Sequence, residues 1–186
     1  MRRALAIDEK SFGREHPDVA RDLNNLAQLL KATNRLGEAE PLMRRALAID
    51  EKSFGPEHPK VATRLNNLAG LLQATNRLGE AEPLMRRALA IDEESLGTEH
   101  PDVAIDLNNL ASLLKATNRL PEAEPLSRRQ KIFLEFTRQT GHEHPHLAAA
   151  IQNYAGLLLA MGNTEQEAVV EIEKLAREVA ANPQNG

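Results

Sequence analysis

The sequence predicts an all-α fold, an α-solenoid of antiparallel helix pairs, and three observations predict it. His-Pro recurs at His16-Pro17, His58-Pro59 and His100-Pro101, a period of 42 residues, with a fourth copy 44 residues on at His144-Pro145. The segment LNNLA follows in step at 23–27, 65–69 and 107–111, then as IQNYA at 151–155. A fixed period of this length over three or more copies marks a stack of small units, none of which can bury its apolar face alone. Third, aromatics make up only 3% of the chain and Trp is absent. Leu, Ala, Ile and Val then carry most of the apolar content, and they suit many thin helix interfaces better than one thick core.

The chain opens at 1–13 on MRRALAIDEKSFG, which has the pattern of the second helix of a pair, helix B, without a first helix before it. Ala4, Leu5 and Ile7 then have one neighbouring helix to cover them. Either the chain is a piece of a longer array, which is the favoured reading, or this half-repeat packs on another chain. Four repeats are expected after it, at 17–55, 59–97, 101–141 and 145–181, then a tail at 182–186. Each opens at His-Pro with helix A, near 17–33, 59–75, 101–117 and 145–161. Proline suits the first helical position because its missing N–H would be unpaired there anyway, and the histidine ring nitrogen can cap a free N–H. In the first copy Val19, Leu23, Leu26, Ala27 and Leu30 step by three and four into one buried stripe. Asn34, Asn76 and Asn118 suit a left-handed turn.

Helix B begins at about Leu36 and places Ala39, Leu42, Met43, Ala46, Leu47 and Ile49 inward, ending near Gly55. Pro41, Pro83 and Pro125 fall in its first two turns, early enough to bend the start without breaking the helix. The fourth copy drifts: two extra residues fall in Arg138–His142, and its turn at Gly162-Asn163 is read as slipped by about one. It has the character of a degenerate capping repeat.

Composition excludes several function classes. A net charge of −4 gives no sequence-wide attraction for phosphate backbones, so nucleic acid is not an expected partner. No cysteine is present, which removes disulfides, thiolate catalysis and Cys-ligated zinc. No apolar run approaches the ~20 residues of a membrane span and no signal-peptide pattern opens the chain; a cytoplasmic location is expected. No catalytic residues, metal or cofactor are expected. His142, His144 and His146 alternate, but no nearby carboxylate at helical spacing completes a metal site, and His144 repeats the His-Pro of the other copies. Arg44-Arg45 reads as a solvated face, with Glu40–Arg44, Glu82–Arg86 and Glu124–Arg128 spaced i,i+4. There is no phosphate loop and no partnered nucleophile.

The phrases NNLA, EAEPL, RRALAI and GxEHP together resemble the tetratricopeptide repeat, in the 42-residue variety found in kinesin light chains and many bacterial repeat proteins. Leu26-Ala27 stands at the family's Leu-Gly/Ala pair, Leu30 at its helix A aromatic, and Ala39, Met43 and Ala46 at its helix B positions. The departures are Leu or Met at most aromatic positions and Asn at the turn glycine. The resemblance implies a right-handed superhelix whose A helices line a concave groove, and a protein or peptide partner.

Residues 1–42 and 43–84 differ only at Arg14/Pro56, Asp18/Lys60, Arg21/Thr63, Asp22/Arg64, Gln28/Gly70 and Lys31/Gln73, and the third copy varies again at Ile105, Asp106, Ser112 and Lys115. By the resemblance these helix A positions face the groove, which implies a varied surface on a fixed frame; drift at exposed positions is the plainer account. The pairs Asn24-Asn25, Asn66-Asn67, Asn108-Asn109 and Gln152-Asn153 are expected to align as a ladder. An amide carries a donor and an acceptor, so the second of each pair, Asn25, Asn67, Asn109 and Asn153, suits the backbone of an extended peptide, or else staples neighbouring repeats. The expected binding residues are thus Arg21, Gln28, Lys31, Gln73, Ser112 and Lys115 with these four pairs. The carboxylate clamp of chaperone-binding relatives is missing, since Asn24, Asn66, Gln28 and Gly70 occupy its positions. Two other roles stay open: a spacer or self-assembly module, associating through the N-terminal orphan helix, and a sensor segment of a larger multidomain protein.

Overall fold

The computed structural model describes residues 2–181, so the expected tail at 182–186 lies outside the described residues. They form α1 (Arg2–Phe12), α2 (Pro17–Ala32), α3 (Leu36–Phe54), α4 (Pro59–Ala74), α5 (Leu78–Leu96), α6 (Pro101–Ala116), α7 (Leu120–Arg128), α8 (Lys131–Thr140), α9 (Leu147–Ala160) and α10 (Glu165–Ala181), with no strand among them. The fold is the all-α solenoid class that the period predicts. It divides into two compact units, 1–95 and 96–186.

In the first unit the repeat is visible as packing. Val19, Ala20, Leu23, Ala46 and Ile49 form one buried cluster, with Leu5 and Leu42 against it. Forty-two residues on, Val61, Ala62, Leu65, Ala88 and Ile91 form the next, with Leu47 and Leu84. Each cluster closes a hairpin with a leucine from the preceding helix B, so no hairpin completes its own core. Stacking finishes the burial: Leu29 of α2 is 49% exposed, whereas Leu71, in the same register of α4, is fully buried.

The helix ends follow the sequence signals. His16, His58 and His100 are N-caps, each accepting at Nδ1 the N–H two residues on, at 3.1–3.2 Å, with Pro at the first helical position. Asn34, Asn76 and Asn118 take the left-handed conformation at φ 58–60°. Arg35 N–H then donates to Leu30 O and Asn34 N–H to Lys31 O, the paired bonds of a Schellman turn, repeated after Asn76 and Asn118. The fourth turn keeps this register rather than slipping: Gly162, at φ 95°, donates to Leu159 O while Asn163 donates to Leu158 O.

Two expectations are corrected in the second unit. The helix B of the third repeat is not continuous but breaks between α7 and α8, where Gln130 occupies the position of the fully buried Ala46 and Ala88. A long amide does not fit a slot made for a methyl group, and the backbone tightens through bonds to the third residue back at Arg129, Gln130, Ile132 and Phe133. The changed phase buries Ile132 beside Phe133. Gln130 itself is 4% exposed, and neither of its amide atoms has a partner. The fourth helix A begins at Leu147, two residues later than expected, because His144-Pro145 is held in the preceding turn. There His144 stacks on Phe133 (4.6 Å between ring centres) and meets the Phe136 edge at 5.1 Å.

Candidate ligand-binding face

The A helices touch their neighbours through two rungs that recur in both units. In the first rung a carboxamide crosses between repeats. Asn67 Nδ2 donates to Asn24 Oδ1 at 3.0 Å in the first unit, and Asn153 Nδ2 donates to Asn108 Oδ1 at 3.1 Å in the second. Asn24 is 7% exposed, so this first-position asparagine, expected on the groove, serves the stack. Asn67 and Asn153 have spent one donor on stapling and keep the rest of their amides. Asn25, exposed, and Asn109, half-buried, make no side-chain hydrogen bond among the described residues. Asn66 is half-buried and hydrogen-bonded or charge-paired within the fold.

One turn on, the second rung sets a lysine over a glycine. A Cβ at Gly70 would lie 3.1 Å from Lys31 Nζ, and one at Gly156 would lie 2.7 Å from Lys115 Nζ. Both ammonium groups rest where the facing helix offers no side chain and, over its whole length, no carboxylate. Among the described residues neither has an acid partner. Burial without compensating charge holds the Lys31 pKa below its ordinary value.

The other expected residues divide. Gln28 and Gln73 are half-buried and Gln152 is exposed. Ser112, Lys115 and Asn153 converge: together with Ala111, Ala116, Ser127 and Leu157 they line an open cleft of about 360 Å³. Arg21 is engaged, its guanidinium 2.6 Å from Asp18 and 3.7 Å from both Asp8 and Asp22. Arg64, which the copy comparison placed among the groove's cations, is tied to Asp50 of α3 at 2.8 Å, with that carboxylate only 1% exposed.

Most remaining charge is structural in ways that motif reading did not separate. Arg45, Arg87 and Arg129, the second arginines of each pair, donate to the carbonyls of Arg14, Pro56 and Thr98 and pin the linkers at 2.7–2.8 Å. Arg44 and Arg86 meet Glu40 and Glu82 as the i,i+4 spacing requires, while Arg128 lies 3.7 Å from Glu178. Arg35, Arg77 and Arg119 grip Glu38, Glu80 and Glu122 with two bonds each. Arg77 also reaches back to Glu40 at 2.7 Å. Burial raises the Glu40 pKa, but the bonds from Arg44 and Arg77 outweigh it and leave the carboxyl below its ordinary value. The recurrence of these residues at a fixed offset was the available signal; their partners depend on how far one repeat is displaced from the next, which no single period states.

Among the described residues no cluster of three metal-ligating side chains is found, and no helix is long and apolar enough to cross a membrane. Residues 1–52, 34–94 and 63–129 match the tetratricopeptide repeat family. No curated protein sequence matches the chain. Among solved structures, the whole chain superposes on 86% of a protein described as a kinesin light chain of Podosopora anserina with nearly identical TPR-like repeats, at 27% identity and TM-score 0.72. A point variant of that protein gives 27% and 0.74 over 85% of its length. BtubC (BKLC) from P. vanneervenii, similar at 24% identity and TM-score 0.77 over 74% of its length, shares the fold.

Proposed function

This chain belongs to the tetratricopeptide repeat family, whose repeats mediate protein–protein interactions and are generally non-enzymatic, and we propose that it is a scaffold that holds an extended peptide segment along its A helices. The observation that carries this is where polar groups are left unspent. Almost every arginine among the described residues is matched to a carboxylate or a carbonyl, as a surface devoted to stacking would have it. Among the described residues, the A-helix amides of Asn25 and Asn109 bond nothing and the ammonium groups of Lys31 and Lys115 face no acid. An amide pairs with the N–H and C=O of any extended backbone, and a lysine facing a helix without carboxylates adds preference for acidic ligands. The frame is common to the repeats, and Gln28, Gln73 and Ser112 vary upon it.

Selection of a random peptide library on the immobilised chain tests the reading. Peptides are expected to emerge whose binding falls about tenfold or more on Asn109→Ala, the loss of one hydrogen bond in a partly desolvated site. Failure to enrich any peptide, or peptides indifferent to substitution at Asn25, Asn109, Lys31 and Lys115, would overturn it. A second reading, self-association through α1, rests on Ile7 and Phe12, each 54% exposed on that helix.

A further inference from the structure

The cleft of the second unit exists because of two departures from the repeat. Ser127 of α7 occupies the position that Met43 and Met85 fill in the first two copies, where both thioethers are buried. Gly156 of α9 stands where the first copy has Gln28. A hydroxymethyl replaces a four-atom side chain on one wall, and the other wall, with Asn153 and Leu157, carries no side chain at 156. The remaining space is the cleft of about 360 Å³ lined by Ala111, Ser112, Lys115, Ala116, Ser127, Asn153 and Leu157.

Its chemistry is lopsided. Lys115 brings one ammonium group, which lies where a Cβ at Gly156 would crowd it at 2.7 Å. Every residue of α9 is uncharged, so that wall supplies no counter-ion. Ser112, Ser127 and the amide of Asn153 are neutral hydrogen-bonding groups around the same space, and the methyl groups of Ala111 and Ala116 with Leu157 make its apolar part. A ligand matched to this has a single carboxylate at the end of a short aliphatic stem.

We propose that this cleft is the anchor for one glutamate side chain of the bound peptide, its carboxylate on Lys115 and its methylenes against Ala111, Ala116 and Leu157. The proposal rests on the peptide-scaffold reading and specifies one position of its ligand. A peptide's own C-terminal carboxylate is the poorer match: it has no aliphatic stem, and the cleft has one cation, where tetratricopeptide domains that hold a chain terminus use several.

The test is an NMR titration of the full ¹⁵N-labelled chain, following the amides of Ser127, Asn153 and Gly156. Three probes are compared: acetyl-Ala-Ala-Glu-Ala-Ala-amide, the same peptide with Gln, and acetyl-Ala-Ala-Ala-Ala-Ala with a free C-terminus. The Glu peptide is expected to shift those three signals saturably at millimolar concentration, with the other two at least tenfold weaker. Ser127→Met, which the first two copies carry, and Lys115→Gln, which the second copy carries, should each reduce the Glu peptide to the Gln level with the fold intact. Equal response to Glu and Gln, a Glu response that survives both variants, or stronger binding of the free terminus would overturn the glutamate anchor. If library-selected peptides bind the A helices while the Glu probe leaves these amides unmoved, the anchor fails and the scaffold reading stands. If neither binds, both fail.

Discussion

Replacing Asn67 by Ala removes a 3.0 Å bond whose acceptor belongs to Asn24, a residue only 7% exposed. An acceptor stranded in that position costs about 1–2 kcal/mol. Ala is the better helix former by about 0.5 kcal/mol, so the net loss is about 1 kcal/mol. For a chain of this length that lowers Tm by about 2–4 °C. Asn25→Ala is the control: the side chain is exposed and bonds nothing among the described residues, so only the propensity gain remains and Tm should hold or rise slightly. Asn109→Ala should behave like the control in a melt, yet weaken a library-selected peptide by about 1–3 kcal/mol. Far-ultraviolet circular dichroism on heating supplies the first quantity and fluorescence polarisation of a labelled peptide the second. The assignment of staple to Asn67 and clamp to Asn109 is refuted if Asn67→Ala melts like the control, or if Asn109→Ala loses stability in proportion to affinity.

Four more outcomes follow from the same geometry. Gln130→Ala removes two buried, unpartnered amide atoms and restores the residue of the first two copies, so it should raise stability by about 1–2 kcal/mol and increase helicity; a lower Tm would refute the account of the α7–α8 break. Asp50→Ala should cost about 3 kcal/mol by leaving Arg64 without its buried carboxylate, whereas Asp50→Leu with Arg64→Met should come near wild type in chemical denaturation. The Glu40 carboxyl is held below its ordinary 4.5, so its contribution is complete above that pH and lost as pH falls through the folded value; Glu40→Gln should therefore flatten part of the acid side of the stability profile. Ile7→Glu should lower any apparent mass above the monomer in sedimentation at high concentration, and an unchanged dimer would remove α1 from the interface.

The period, helix caps and apolar stripe carried the architecture because each is written in local residues. His16, Pro17 and Asn34 act within a few positions of themselves, and Val19 or Ala46 needs only the next hairpin in a known order. The binding face was legible as a set of positions but not as roles. Asn24 and Asn25 look alike in sequence, yet one is buried in a bond to the next repeat and the other is exposed. One residue is a rotation of about 100° around the helix, and the displacement between repeats decides which of the two meets a neighbour. Ser127 and Gln130 escape a motif reading because the EAEPL phrase before them and the Arg128-Arg129 pair between them still suggest a continuous helix B. The cavity and the break arise from volume, a Met shortened to Ser and an Ala lengthened to Gln, which hydrophobic periodicity does not register.

The variation between copies also changes meaning once packing is known. In the sequence Gln28/Gly70 and Lys31/Gln73 are separate changes, open to ligand choice or to drift. In the first unit Lys31 lies against Gly70, and in the second Lys115 lies against Gly156, so a long cation on one A helix accompanies a bare backbone on the next. Drift at independent exposed sites supplies no reason for that match. Steric accommodation does, and it leaves an ammonium partly buried in a place with no acid, which lowers the pKa of Lys31 through desolvation. A bound carboxylate would relieve that cost. Lys31 in a saturated peptide complex should accordingly titrate at higher pH than in the free chain, measurable from its Nζ-adjacent carbon signal. An unchanged titration with an acidic peptide bound would mean that the lysine–glycine match is packing alone and takes no part in recognition.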